Sequence, residues 1–440
     1  MYDILIGRDE EERKQYGNQG VFLIGKLYVK MGQVTSLSND VYMDVAKSHV
    51  IFVCGKRGGG KSYTLGNMAE GMMSLPKEIN ENLSVIILDT MGIYWTMKYE
   101  NKKDAEMLGE WGLTPQKMNV KIFTPKGFYK SFKEKGIPTD SPFSIKPTEL
   151  NSNEWCTVLG VSLTEPLGVL IDSIINKLRK SGREYSIEDI INLIKQDEKA
   201  EQYIRNAAEN RFLNVMEWGL FDANGTPFDD LAVGGQISVV DVSCYSSMAG
   251  NWNIKSLVVG LISQKMFDSR MVARKQEEYD DIYKTVHFLS ARDIREKKAL
   301  PLIWLVIDEA HEFLPREGMT LATPALLTVL REGRQPGLSL VLASQQPGKI
   351  HTDVMTQADI VIAHRITAKI DIDALGALMQ SYMRTGLDKM IDDLPRVKGA
   401  ALIFDDTNER MYPIKVRPRI TWHGGSSPSP IFQKKKIFQF

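Results

Sequence analysis

The sequence predicts an α/β fold, a mostly parallel sheet with connecting helices, a helical insertion and a short β segment in front. Three observations carry this. Short runs rich in Val and Ile recur at 50–54, 84–88, 120–123, 236–240, 302–307, 338–343, 359–363 and 400–404. Polar or Gly turns bound them, as expected of strands buried on both faces. Helical stretches at 61–73, 254–270 and 324–332 lie between most of them, and such alternation makes a parallel sheet. Between Pro147 and Asp230 the β-rich runs stop and helical spacing takes over.

In chain order, residues 1–45 carry a Gly-punctuated β pattern, GVFLIGKLYVKMGQV, too short for a complete barrel and expected to form a small appendage. The core is assigned to 46–146 and 231–423, with the helical insertion at 147–230. Within the insertion, Val169, Leu170, Ile174, Ile175 and Leu178 make one apolar face, and Ile187, Ile190, Ile191 and Ile194 a second. Ser186 and Asp189 have the spacing of a capping box, in which the hydroxyl accepts from an orphan N–H and the acid reaches back. The charged stretch 271–299 reads as a solvated helix and loop. Residues 424–430 read as a Gly/Ser/Pro turn opening a basic tail, 424–440.

The chain has 440 residues, 43% of them hydrophobic and 25% charged, which excludes disorder, collagen and coiled coil as whole-chain descriptions. At about 150 residues per unit this length suggests two or three units. Cys54, Cys156 and Cys244 show no CxxC or Cys/His spacing, so a reducing, cytoplasmic setting is expected, without disulfide framework or zinc. No apolar run approaches about 18 residues and the N-terminus is charged, so neither export nor a membrane is expected. With 55 basic and 55 acidic side chains the chain does not coat nucleic acid by bulk charge, although a local basic channel is compatible. From 410 onward there are seven basic and no acidic residues, either a solvated tail or a local basic surface.

The strongest motif is Gly55-Lys56-Arg57-Gly58-Gly59-Gly60-Lys61-Ser62, a GxxxxGK[ST] match after a strand and before a helix. Its glycines permit turns that expose N–H groups to phosphate, the helix N-terminus adds its dipole, and Lys61 adds a point charge. Ser62 is the expected Mg²⁺ ligand, and the expected nucleotide contacts run from Gly55 through Ser62 to Tyr63. The run LIWLVIDEAHEF then supplies a strand ending in Asp308 and Glu309. Asp308 is expected to serve Mg²⁺ and Glu309 to polarise the attacking water; the competing use of two such acids is to cap a helix. Asp308 to His311 also spell DEAH, but with 131 residues after Glu309, some of them needed for the first sheet, a two-lobed helicase architecture is not expected. His311 is therefore expected to be structural.

Beyond this, the order GKRGGGKSYTLG, ILDTMGIYW, ISVVDVS, LVIDEAHEFLP, REGRQPG, LASQQP and VRPRITWHGG resembles the HerA branch of the HerA/FtsK superfamily, over residues 20–425. The resemblance implies a RecA-like P-loop core, ATP and Mg²⁺ as cofactors, and a homohexameric ring that translocates double-stranded DNA. It implies Gln345 as polar sensor near the γ-phosphate and Arg334 as the arginine finger acting in a neighbouring subunit, with Arg331 able to exchange roles. A finger fits the chemistry, because phosphoryl transfer spreads charge that a guanidinium stabilises when the interface closes. Asp89 matches the family's Asp after the second core strand; Ile93 departs from the acid many members carry. Trp95 is expected to be core.

The resemblance further implies a separate NurA-type nuclease or a defence effector as partner, in DNA end processing or antiviral defence. Arg316, Lys98, Lys102 and Lys103 are the candidate DNA contacts, each also readable as a solvated charge. The alternative is an ATP-binding ring scaffold that organises a partner without moving DNA. A small-molecule kinase is disfavoured because it leaves REGRQPG unused.

Overall fold

The computed structural model describes residues 3–31, 34–247, 251–287, 300–366, 369–376, 389–391 and 393–425. Thirteen strands form one sheet: β1 (Ile4–Ile6), β2 (Val21–Met31), β3 (Val34–Asp44), β4 (Val50–Cys54), β5 (Leu83–Asp89), β6 (Val120–Pro125), β7 (Ser141–Phe143), β8 (Gln236–Asp241), β9 (Leu302–Ile307), β10 (Leu338–Ser344), β11 (Ile360–His364), β12 (Ala400–Asp405) and β13 (Arg410–Val416). Their order is β1-β3-β2-β13-β12-β11-β4-β10-β9-β5-β8-β6-β7. From β11 to β7 every pairing is parallel, so the C-terminal ends of these strands share one edge. β12, β13, β2 and β3 continue the sheet antiparallel, and β1 closes the edge parallel to β3.

The central strands β4, β5, β9, β10 and β11 are buried almost throughout and mostly apolar because both sheet faces are covered. In β4, Ile51 and Val53 face one core while Phe52 and Cys54 face the other; in β5, Val85 and Ile87 alternate with Ile86 and Leu88 in the same way. The helix Lys61–Met73 packs Leu65, Met68, Ala69 and Met72 on the first face. The helices Asn251–His287 and Thr323–Glu332 and the helical insertion cover the second. Each fully buried Leu, Ile, Val, Phe or Met contributes about 1.5–3 kcal/mol.

The N-terminal strands extend the sheet, since β2 pairs with β13 at Leu27↔Ile414, Lys26↔Lys415 and Gly25↔Val416. Gly25 is required there: a Cβ would stand 2.3 Å from the Lys415 carbonyl oxygen. β2 also leans on the helix Lys61–Met73, where Phe22 lies 2.2 Å from the position of a Cβ on Gly71. Pro413 interrupts β13, and pairing to β2 begins one residue later, where N–H groups are again available.

Between 147 and 230 the helices Ser152–Val158, Pro166–Lys180, Ile187–Gln196 and Gln202–Glu217 pack together. The capping box forms: Asp189 N donates to Ser186 Oγ at 3.2 Å and Ser186 N to Asp189 Oδ2 at 2.8 Å. Leu170, Ile174 and Ile175 are buried as the spacing predicts, whereas Val169 is 56% exposed, one step outside the packed stripe. The helix expected at 254–270 runs on through the charged segment to His287. Residues 288–299 and the tail beyond 425, including Lys434, Lys435 and Lys436, lie outside the described residues.

Candidate nucleotide-binding and hydrolytic site

The phosphate loop leaves β4 at the shared edge. Gly55, Gly58 and Gly60 have φ of 149°, 76° and 116°, backbone that other residues rarely adopt. Gly55 is doubly constrained, because a Cβ would lie 2.7 Å from that of His364 at the end of β11. Lys56, Arg57 and Gly58 are on the exposed rim and Gly59 and Gly60 are half-buried. Thr64 N donates to the Gly60 carbonyl at 2.9 Å, so the helix begins where its free N–H groups face the loop.

Lys61 is 5% exposed and lies 3.5 Å from the Lys56 carbonyl. Burial lowers its pKa, opposed by the charges of Glu309 and Asp308. The Ser62 hydroxyl donates to Asp308 Oδ2 at 2.6 Å. Asp308 Oδ1 accepts from Glu309 N at 2.9 Å, and Tyr94 Oη donates to Oδ2 at 3.3 Å. The motifs on β4 and β9 therefore meet around a single carboxylate.

Glu309 adopts φ 53° and ψ 43°, left-handed backbone that costs a non-glycine residue about 1–3 kcal/mol. This turn swings its carboxylate across the exit of β10, where Gln345 Nε2 donates to Oε1. Oε2 is buried and, among the described residues, has no hydrogen-bond partner, with His311 Nδ1 3.6 Å away. Burial raises the Glu309 pKa, partly offset by Gln345. His311 is held by Ser344 Oγ at 3.2 Å, and burial lowers its pKa, which favours the neutral ring.

Arg334 is elsewhere. It sits on the exposed turn before β10, at the opposite end of a strand of seven residues, about 20 Å from its own phosphate loop. Among the described residues its side chain has no hydrogen-bond or ion-pair partner. Arg331 is engaged, its Nε 2.6 Å from Asp353 Oδ2. Tyr63 turns away from the loop: its hydroxyl accepts from Arg419 N at 2.6 Å and its ring meets His423 edge-on at 5.2 Å. Lys98 pairs with Asp140 at 2.5 Å, Lys102 with Glu100 at 3.2 Å, and Arg316 reaches the Gly348 carbonyl at 3.4 Å. Trp95 is half-buried, donating to the Gly92 carbonyl.

Beyond Asp89, which the motif resemblance matches, several site contacts escape sequence reasoning. Asp89 accepts from Gly92, Ile93 and Tyr94 N–H at 2.7–2.8 Å and from Met91 at 3.2 Å, folding the loop that delivers Tyr94 to Asp308. His364 Nδ1 donates to the Ala400 carbonyl at 3.2 Å, so Nε2 accepts the Thr64 hydroxyl at 2.9 Å. Buried Glu70 receives Arg419 Nε at 2.8 Å, Arg417 Nη1 at 3.3 Å and Ile420 N at 3.0 Å, clamping the segment 417–421 along the helix. The legible signal was the spacing of Thr64, Asn67 and Glu70, a polar stripe on an otherwise apolar helix, all fully buried.

A strand order of β11-β4-β10-β9-β5, with the phosphate loop after β4, acids after β9 and Gln345 after β10, defines a P-loop nucleoside triphosphatase with a RecA-like core. The chain belongs to the family described as "Helicase HerA, central domain", which matches residues 24–264. It is 28% identical over 145 residues to the DNA double-strand break repair helicase HerA of Pyrococcus furiosus, covering 32% of this chain and 24% of that protein. It is 21% identical over 406 residues to a probable helicase of Methanocaldococcus jannaschii, covering 88% of this chain and 64% of that one. The chain thus spans less than two thirds of these relatives. The solved structure of VirB4 from Thermoanaerobacter pseudethanolicus shares the fold, with TM-score 0.53, 13% identity and coverage of 91% of this chain and 97% of that one.

Proposed function

We propose that the chain is a Mg²⁺-dependent ATPase that assembles as a homohexameric ring and moves along double-stranded DNA. The observation that carries this is the placement of Arg334, exposed, unpaired and at the far end of the sheet from its own Ser62, Asp308, Glu309 and Gln345. A finger there completes only a neighbour's site, so hydrolysis requires subunits side by side.

Mg²⁺ fits the residues present. No cluster of three or more acidic, His or Cys ligands occurs among the described residues, and Mg²⁺ characteristically uses one or two carboxylates with substrate phosphates. Ser62 and Asp308 would hold it, and when bound it would supply positive charge against the developing negative charge of phosphoryl transfer. Lys61 neutralises phosphate charge, the glycine N–H groups orient it, and Glu309 Oε2 accepts the proton of the attacking water. Gln345 keeps Glu309 aimed there.

DNA as the track is supported by the helicase family and by the repair role in the name of the Pyrococcus protein, while a separate nuclease or defence effector as partner rests on the motif resemblance alone. Three cysteines without disulfides support a cytoplasmic setting, and no helix among the described residues is long and apolar enough to cross a membrane. The test is ATP turnover with and without long duplex DNA, on material whose ring state is measured in the same buffer. A hexamer stimulated by DNA supports the motor. A hexamer indifferent to DNA supports a ring scaffold instead, a reading favoured by the intrachain engagement of Lys98, Lys102 and Arg316.

A further inference from the structure

We infer that Tyr94 is a positioning residue for the metal site: its phenol holds Asp308 in the orientation a divalent cation requires. The inference rests on the ATPase reading above and adds a residue to it.

Tyr94 opens the short 3-10 turn Tyr94–Lys98 and is 1% exposed, so its phenol lies inside the fold beside Asp308. It donates to Asp308 Oδ2 at 3.3 Å, the oxygen that also takes the Ser62 hydroxyl at 2.6 Å. Once Ser62 Oγ is committed to a cation as a ligand, Tyr94 is, among the described residues, the side-chain donor left to fix that carboxylate. Outer donors of this kind set the rotation of a ligand and change metal affinity by about 10–100-fold when removed.

The loop is built for such a task. Asp89 pins its start through four N–H groups, including that of Tyr94 itself. The C-terminal segment pins its end: Thr96 Oγ1 donates to the Trp422 carbonyl at 2.9 Å, Trp422 N to the Tyr99 carbonyl at 2.8 Å, and Glu100 bridges to Thr421. That segment is fastened by Glu70 to the helix that carries Ser62. Tyr94 and Ser62 are thereby referenced to one framework, and Asp308 lies between them.

The experiment titrates Mn²⁺ into the full chain with a non-hydrolysable ATP analogue, reading free Mn²⁺ by electron paramagnetic resonance, for wild type and Tyr94→Phe. The expected result is a rise of about 10-fold in the half-saturating Mn²⁺, with analogue affinity in EDTA unchanged and turnover restored by excess Mg²⁺. Structural damage would lower turnover at every metal concentration. If Tyr94→Phe loses its cooperative melt, Thr96→Val, which unclasps the same loop and keeps the phenol, must shift the midpoint in the same direction. An unchanged midpoint in the variant that folds overturns the role of Tyr94 and leaves the ATPase reading standing. Failure of the wild type to bind the analogue overturns both.

Discussion

Gln345 donates its side-chain amide to Glu309, joining the exits of two neighbouring strands, β10 and β9, through the residue proposed to activate water. The turn at Glu309 in left-handed backbone aims its carboxylate, and the amide fixes one oxygen while the other is buried with no hydrogen-bond partner among the described residues.

Glu309→Gln removes the proposed proton acceptor while keeping the volume. Turnover is expected to fall by about 10²–10⁴-fold with ATP still bound, measured as single-turnover hydrolysis against retention of labelled nucleotide. Wild-type hydrolysis would remove Glu309 from the mechanism.

Glu70 is predicted to matter for stability first. Burial pushes its pKa up, but Arg419 and Arg417 outweigh this and hold it below the usual carboxylate range. Glu70→Ala leaves two guanidinium groups buried without their acid, a loss of about 3–5 kcal/mol. Chemical denaturation measures it. Because the folded pKa is depressed, the wild-type contribution is present above the unfolded pKa and is lost as pH falls through the folded one.

Two buried histidines give opposite pH limbs. Burial lowers His364 to about 4, so the unfolded chain takes up its proton first and stability falls as pH drops from about 6.5 towards 4, by about 3 kcal/mol in all. For His49, burial is outweighed by Asp359, 2.5 Å from Nδ1, and Asp44, 3.1 Å from Nε2, raising it to about 9. Its contribution is full below about pH 6.5 and is lost as pH rises through 9. Urea midpoints should show His364→Asn flattening the acid limb and His49→Asn the alkaline one.

What could be read in advance was local. The apolar runs at 50–54 and 338–343 need no partner to be recognised as doubly buried strands, and the phosphate loop and Ser186 cap are defined by neighbours within a few residues. What escaped depends on contacts between distant segments. The join of β2 to β13 pairs Gly25 with Val416, and Glu70 meets Arg419 across 349 residues. Tyr94 looked like part of a motif, but its bond to Asp308 spans 214 positions. The solvated helix expected in the charged stretch is present as far as His287, but its continuity with the helix before it was not legible.

The central claim is that each hydrolytic site is completed by Arg334 of a neighbouring subunit, and the most direct measurement is ATP turnover by rings mixed from Lys61→Ala and Arg334→Ala subunits. Each variant alone is expected to be inactive, Arg334→Ala by about 10³–10⁵-fold with nucleotide still bound. Mixing should restore turnover, because an intact loop in one subunit then faces an intact finger from the other. Mixed rings as inactive as their parents, or an Arg334→Ala homomer that hydrolyses ATP like wild type, would contradict it.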